Sequence, residues 1–200
     1  MNVMRFSLSC LIAVTCLSGC VAIPNPFASA PAEPVTMRWA HVDGHRDWEA
    51  ASFAALDSHA AILPTLVPDD IDEWCPGYAR NDLEERRQFW VGLMSSLAYH
   101  ESTWNPDVVG GGNRWFGLVQ IYPSTARFRG CEATTGAELQ DGAANMSCAF
   151  RIWAFTVPRD NVVSEGNRGV AADWGPMHSS QSHKREDIRD WVSAQPFCTR

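Results

Sequence analysis

Glu101 occupies a position where an ionised carboxyl group is expensive. Phe89, Leu93 and Leu97 form one row at helical spacing, and Trp90, Met94 and Ala98 form the adjacent row. Glu101 follows Leu97 by four residues and Ala98 by three, so it shares their apolar face. Burial penalises the charged form, and such an acid keeps its proton to higher pH than a surface glutamate. A carboxyl that is still protonated near neutral pH suits general acid chemistry. Ser102 follows it directly. Pro106 then disfavours helical geometry at Asn105, which predicts that the helix stops just beyond the acid.

Other chemistries lack their residues. His100-Glu101 begins an H-E-x-x-H pattern, but position 104 is Trp, which removes the zinc-protease reading. Gly110-Gly111-Gly112-Asn113 has no following G-x-G-x-x-G and no Lys-Ser or Lys-Thr, so it predicts a flexible loop rather than a phosphate cradle. Asp69, Asp70, Asp72 and Glu73 read as a solvated acidic turn. The serines and histidines near Ser179 to His183 have no triad context. With no C-x-x-C and no clustered histidines, neither a metal nor an organic cofactor is implied.

The elements that must position Glu101 follow from patterning. Asn81 or Asp82 starts its helix, which exposes Glu84, Glu85, Arg86 and Arg87. Upstream, Asp47 to Leu63 is helical in pattern, with Asp47 as N-cap and Trp48, Ala51, Leu56 and Ile62 facing inward. Downstream, Trp115 to Tyr122 mixes aromatic and β-branched residues and predicts one or two short strands. Leu139 to Thr156 predicts another helix, burying Met146, Phe150, Ile152 and Trp153 and ended by Pro158. No internal repeat is visible. The whole describes one α+β domain, predominantly α-helical, with a small β element.

The 200 residues carry a formal charge of −7. Residues 1–19 contain only one charge, Arg5, so the remainder is more acidic still. That excludes a general nucleic-acid binder, which needs a basic footprint. Residues 1–19 read as an export signal: Arg5, an apolar run from Phe6 to Leu17, then Ser18 and Gly19. Leu17-Ser18-Gly19-Cys20 resembles a bacterial lipobox, in which Cys20 becomes the lipidated first residue of the mature chain. Several acyl chains, at ~0.8 kcal/mol per buried CH2, anchor a protein stably. Val21 after the cysteine resembles signals routed to the outer membrane, which places the domain on the periplasmic side. Pro24, Pro26, Pro31 and Pro34 mark an extended tether, assigned to residues 20–46, ahead of a domain over 47–200. In an oxidising compartment the four remaining cysteines predict two disulfides among three connectivities. The favoured pairs are Cys131–Cys148, a local bridge, and Cys75–Cys198, a clasp on the C-terminus.

Three motifs stand in fixed order: Glu101-Ser102 with Asn105-Pro106; Gly117-Leu118-Val119-Gln120-Ile121 with Pro123 and Thr125-Ala126; and Asn145. This set resembles the lytic transglycosylases of the soluble-lytic-transglycosylase type, with Val119 where that family carries Met. The resemblance spans about Phe89 to Trp174. It implies a lysozyme-like fold with a cleft beside the β element, and peptidoglycan glycan strands as substrate. The bond cut would be the β-1,4 link between N-acetylmuramic acid and N-acetylglucosamine, released as a 1,6-anhydromuramic end without water. Glu101 would serve as both acid and base. Ser102 would orient it by hydrogen bonding, Gln120 and Tyr122 would line the cleft, and Asn145 would sit near the saccharide. The plain alternatives are a helix-terminal serine and a helix-surface asparagine. Partners in the envelope machinery are not specified by the sequence.

One segment departs from the family pattern. The region that carries an Ala-Tyr-Asn type segment there is Ala171-Ala172-Asp173-Trp174-Gly175-Pro176 here, without Tyr. Trp174 is expected to fill the place. Asp173, if it faces the cleft, supplies a second carboxylate and makes a muramidase that hydrolyses the same bond the alternative. A peptidoglycan-binding lipoprotein without activity is the rival from another class, and retention of Glu101 with Gln120 argues against it.

Overall fold

The computed structural model describes residues 35–199. The expected signal segment, the lipidated Cys20 and the tether as far as Pro34 lie outside the described residues. The elements run α1 (His45–Leu56), α2 (Ile71–Trp74), α3 (Leu83–Ser102), β1 (Val109–Gly110), β2 (Trp115–Phe116), α4 (Pro123–Arg129), α5 (Gly136–Leu139), α6 (Gly142–Asp160), α7 (Ser182–Ser193) and α8 (Pro196–Thr199). The fold is predominantly helical with a small antiparallel ribbon, as expected. In that ribbon Val109 pairs with Phe116 and Gly110 with Trp115.

Helix α3 is the axis of the core. Asp82 and Glu85 close a capping box at its start, each side chain meeting the other's backbone N–H. From Phe89 to Ala98 every residue is buried, so both predicted apolar rows face protein. Such all-round burial is what a central helix requires. Trp90 donates its indole N–H to the Tyr78 hydroxyl at 2.9 Å, which resolves two buried polar groups at once. Around α3 pack α1, α7 and α8, while α6 lies against α1.

Helix α3 ends one turn sooner than a proline stop alone would place it. Thr103 and Trp104 both adopt left-handed backbone, with φ of 54° and 58°. The Thr103 N–H bonds the Tyr99 carbonyl at 2.9 Å, and the Trp104 N–H reaches the Ala98 carbonyl at 3.4 Å. The Trp104 indole then folds back and donates to the Ser95 carbonyl at 2.8 Å. This turn holds Glu101 and Ser102 in the last helical positions and points the chain away from them.

Several boundaries differ from expectation for physical reasons. The expected domain start at 47 falls inside the packed body, because Met37 and Trp39 are buried in the core. Trp39 meets Trp48 edge to face at 6.0 Å. Gly44, with φ 86°, caps α1 in place of Asp47, which sits in the first turn. Ile62 lies beyond the end of α1 and is exposed. Pro158 does not end α6: the helix continues to Asp160, and Asn161 in left-handed geometry closes it with an N–H bond to Val157. Cys75 pairs with Cys198 and Cys131 with Cys148, the expected connectivity.

Candidate active site

The last turn of α3 opens into a cleft of about 380 Å³ bounded by Glu101, Trp115, Gln120, Asp173, Trp174 and Lys184. A smaller hollow of about 60 Å³ shares Trp115, Gln120, Asp173 and Trp174 and runs on to Tyr122, Thr125 and Ile152. Trp115 covers the wall of the ribbon. A Cβ on Gly111 would fall 1.8 Å from its ring, so this close approach requires glycine.

Glu101 is partly buried, and among the described residues no hydrogen bond engages its carboxyl. Desolvation pushes its pKa up to about 7, against a smaller opposing pull from the Lys184 ammonium. At neutral pH the group is therefore shared between its protonated and ionised forms, the condition for moving a proton in both directions. Asp173 is exposed at the cleft wall. Its carboxyl is nevertheless raised by desolvation, opposed by Arg129 and Arg159.

Neighbouring ion pairs fix the two helices that carry Glu101 and Lys184. Arg38 donates to both carboxylate oxygens of Asp187 on α7, at 2.6 and 3.2 Å. His100, beside Glu101 on α3, places Nε2 2.7 Å from the same carboxylate. The Arg38 hydrogen bond is the largest influence holding Asp187 below the usual carboxylate range. Burial is the largest on His100 and pulls its pKa down, so the imidazole tends to be neutral.

The segment Gly117–Ile121 is clamped from three directions, and three of the expected site residues, Ser102, Asn145 and Trp174, form the clamp. The Ser102 hydroxyl donates to the Leu118 carbonyl at 2.8 Å. Its geometry engages the loop rather than the Glu101 carboxyl. Asn145 is fully buried. Its Oδ1 accepts from the Val119 N–H at 3.0 Å, and its Nδ2 donates to the carbonyls of Phe116 and Leu139 at 3.0 and 2.9 Å. That satisfies three backbone groups from a side chain fully shielded from solvent. Expected beside the saccharide, Asn145 sits behind the cleft wall. The third contact comes from Trp174, 4% exposed, whose indole donates to the Val119 carbonyl at 2.7 Å.

The clamp presents Gln120, which has left-handed backbone at φ 53°. Its amide donates to Val108 and Gly117 carbonyls at 3.0 and 2.9 Å, tying the loop to β1. Its Oε1 remains beside Gly110 on the cleft wall. Gly117, at φ 82°, has no room for a side chain: a Cβ there would lie 2.1 Å from the Leu139 carbonyl. The structure thus gathers Glu101, Gln120, Tyr122, Asp173 and Trp174 along the cleft, with Ser102 and Asn145 behind it. Two cleft residues were not foreseen. Trp115 could be read only as a strand aromatic, and Lys184, in a polar helix rich in charge, carries no distinguishing signal.

Comparison with known proteins places this geometry. Residues 79–156 match the sequence family described as the transglycosylase SLT domain. The matched stretch contains α3 with Glu101, the ribbon, the clamped loop and most of α6. Solved structures of Bd0314 DslA share the fold of this chain. The wild-type form 2 of DslA has a TM-score of 0.73 at 23% identity, covering 82% of this chain and 98% of that one. Two glutamate-to-glutamine mutants of DslA give TM-scores of 0.75, at 23% and 22% identity, covering 82% and 84% of this chain and 98% and 100% of theirs. No curated protein matches the sequence.

Proposed function

We propose that the chain is a peptidoglycan lytic transglycosylase that uses Glu101 as a single acid and base. The observation that carries the reading is one carboxyl, without a hydrogen bond among the described residues and raised to about 7 by burial, in an open cleft bordered by the stretch that matches the transglycosylase SLT domain. Protonated Glu101 donates to the oxygen of the β-1,4 bond as the bond from C1 of the muramic residue breaks. The N-acetyl group of that sugar stabilises the positive charge left at C1. The muramic 6-hydroxyl then attacks C1 and gives its proton to the Glu101 carboxylate, which restores the acid. No water enters the balance. Among the described residues no hydrogen bond engages the Glu101 carboxyl, which favours this shuttle, since neither protonation state is locked by a partner.

Asp173 supports a second reading. It borders the same cleft, and two carboxylates flanking a glycosidic bond serve a hydrolase. Under that reading Asp173 assists water, and the product carries a reducing end. Substitution separates both from a pure binder: Glu101→Gln in the full chain should abolish release of soluble fragments from purified sacculi while sacculus binding persists. Equal release by the variant would overturn the role of Glu101 in either reaction. We further propose that lipidated Cys20 holds the domain on the periplasmic side of the outer membrane. Incorporation of labelled fatty acid that is lost in Cys20→Ser tests this, and labelling of the variant would refute it.

A further inference from the structure

Beyond the scissile bond, the faces of α4 and α6 that line the smaller hollow continue outward to an arginine held between aromatic rings. Thr125 on α4 lines the hollow, and Arg129 lies one turn further along the same face. Ile152 on α6 lines it as well, and Phe155 and Arg159 follow on that face at helical spacing. The Arg129 guanidinium sits 3.9 Å from the centroid of Phe155 and 5.1 Å from that of Phe128. These rings are 50% and 80% exposed, the second unusually so for a phenylalanine.

Arg129 differs from Arg159, Arg127 and Arg114 in having its donors uncommitted. Arg159 is paired with both oxygens of Asp160, Arg127 donates to the Thr134 carbonyl, and Arg114 donates to the Gly111 carbonyl. Among the described residues no hydrogen bond or ion pair engages the Arg129 guanidinium, and its Nε is shielded from solvent without a partner. Asp173 feels its charge but forms no ion pair with it. A planar cation whose orientation is fixed by stacking, with unused N–H groups beside a cleft, is a preorganised receptor for a carboxylate.

We propose that Arg129, stacked on Phe155, binds a carboxylate of the peptide stem carried by the muramic residues of a glycan strand lying in the cleft. The inference rests on the glycan-strand reading above. Muramic residues bear their stems through a lactyl group, so a strand seated along Glu101 and Gln120 projects acidic side branches, and Arg129 supplies the complementary charge. The stacked rings favour a peptide backbone and aliphatic side chains over a bare inorganic anion.

The test measures binding by the full chain carrying Glu101→Gln, which prevents turnover, with and without Arg129→Gln. Three probes are used: glycan chains with intact stems, the same chains stripped of stems by an amidase, and chains whose stem carboxylates are methyl esters. Arg129→Gln should weaken binding of stem-bearing chains about tenfold and leave stripped chains unchanged. Esterification should cause the same loss with Arg129 in place, a result independent of any effect of the substitution on folding. Equal weakening of stem-bearing and stripped chains, or no weakening, would overturn the proposal. So would Arg129-dependent binding to phosphatidylglycerol vesicles with no response to stems, which would make the patch a lipid-facing surface. If neither chain binds before Arg129 is changed, the glycan-strand reading has failed and the subsite falls with it. If both bind with equal affinity, only the subsite has failed.

Discussion

Replacing Glu101 by Gln should make the protein more stable, by an amount that depends on pH in a defined direction. The native carboxyl titrates at about 7, against the ordinary value of 4.5. Native chains therefore bind this proton more tightly than unfolded ones, and stability falls as pH rises between those two values. At 1.36 kcal/mol per pH unit the full penalty is about 3 kcal/mol, an order-of-magnitude figure reached above pH 7. Below pH 4.5 both states are protonated and the penalty vanishes. Glutamine has nearly the same shape and no proton to lose, so it escapes the penalty throughout. Urea unfolding of both forms from pH 4 to 8.5 should give stability curves that nearly coincide at the acid end. They should then separate, with the variant more stable by up to about 3 kcal/mol at pH 8. Other titrating groups are common to both and cancel in the difference. For a domain of this size the gap corresponds to roughly 10 °C in Tm. Parallel curves with no pH-dependent separation would refute the claim that burial holds the proton on Glu101.

Lys184 opposes that burial, so Lys184→Gln should raise the Glu101 pKa further; the alkaline limb of the pH–rate profile should move to higher pH, and a shift toward acid would contradict the charge argument. Asn145→Ala leaves the Val119 N–H and the Leu139 carbonyl without their side-chain partner, while the Phe116 carbonyl keeps its bond from the Ile121 N–H, and should cost roughly 3 kcal/mol in chemical denaturation, whereas a cost under 1 kcal/mol would mean the clamp is dispensable. Thr103 is exposed and left-handed, so Thr103→Gly should stabilise by about 1 kcal/mol, read as a raised urea midpoint at unchanged slope.

The acid was legible in the sequence because helical spacing alone puts Glu101 on the row of Leu97 and Ala98. The cap at Asp82 and the Cys131–Cys148 bridge were legible for similarly local reasons, a three-residue reach and a short loop, and Cys75–Cys198, 123 positions apart, was then the pair left over. What spacing could not supply was direction across the fold. Ser102 was expected to orient the Glu101 carboxyl, and Asn145 to sit near the saccharide. Their hydrogen bonds instead go to Leu118, Val119, Phe116 and Leu139, contacts that exist only once α3 and α6 close around the loop. Lys184 reaches the cleft on α7, which buries Ile188 and Val192 in the core and is tied through Asp187 to Arg38, across 149 positions of sequence. The left-handed turn at Thr103 and Trp104 was also hidden, since neither residue type favours it; folding of the Trp104 ring onto Ser95 compensates the strain.

The central claim is that Glu101 cuts a glycan strand without water. Mass analysis of the fragments released from sacculi by the full chain tests it most directly. The account predicts muropeptides ending in 1,6-anhydromuramic acid, each lighter by one water than its reducing counterpart, and none when Glu101 is Gln. Fragments with reducing ends would contradict it and assign the water to Asp173.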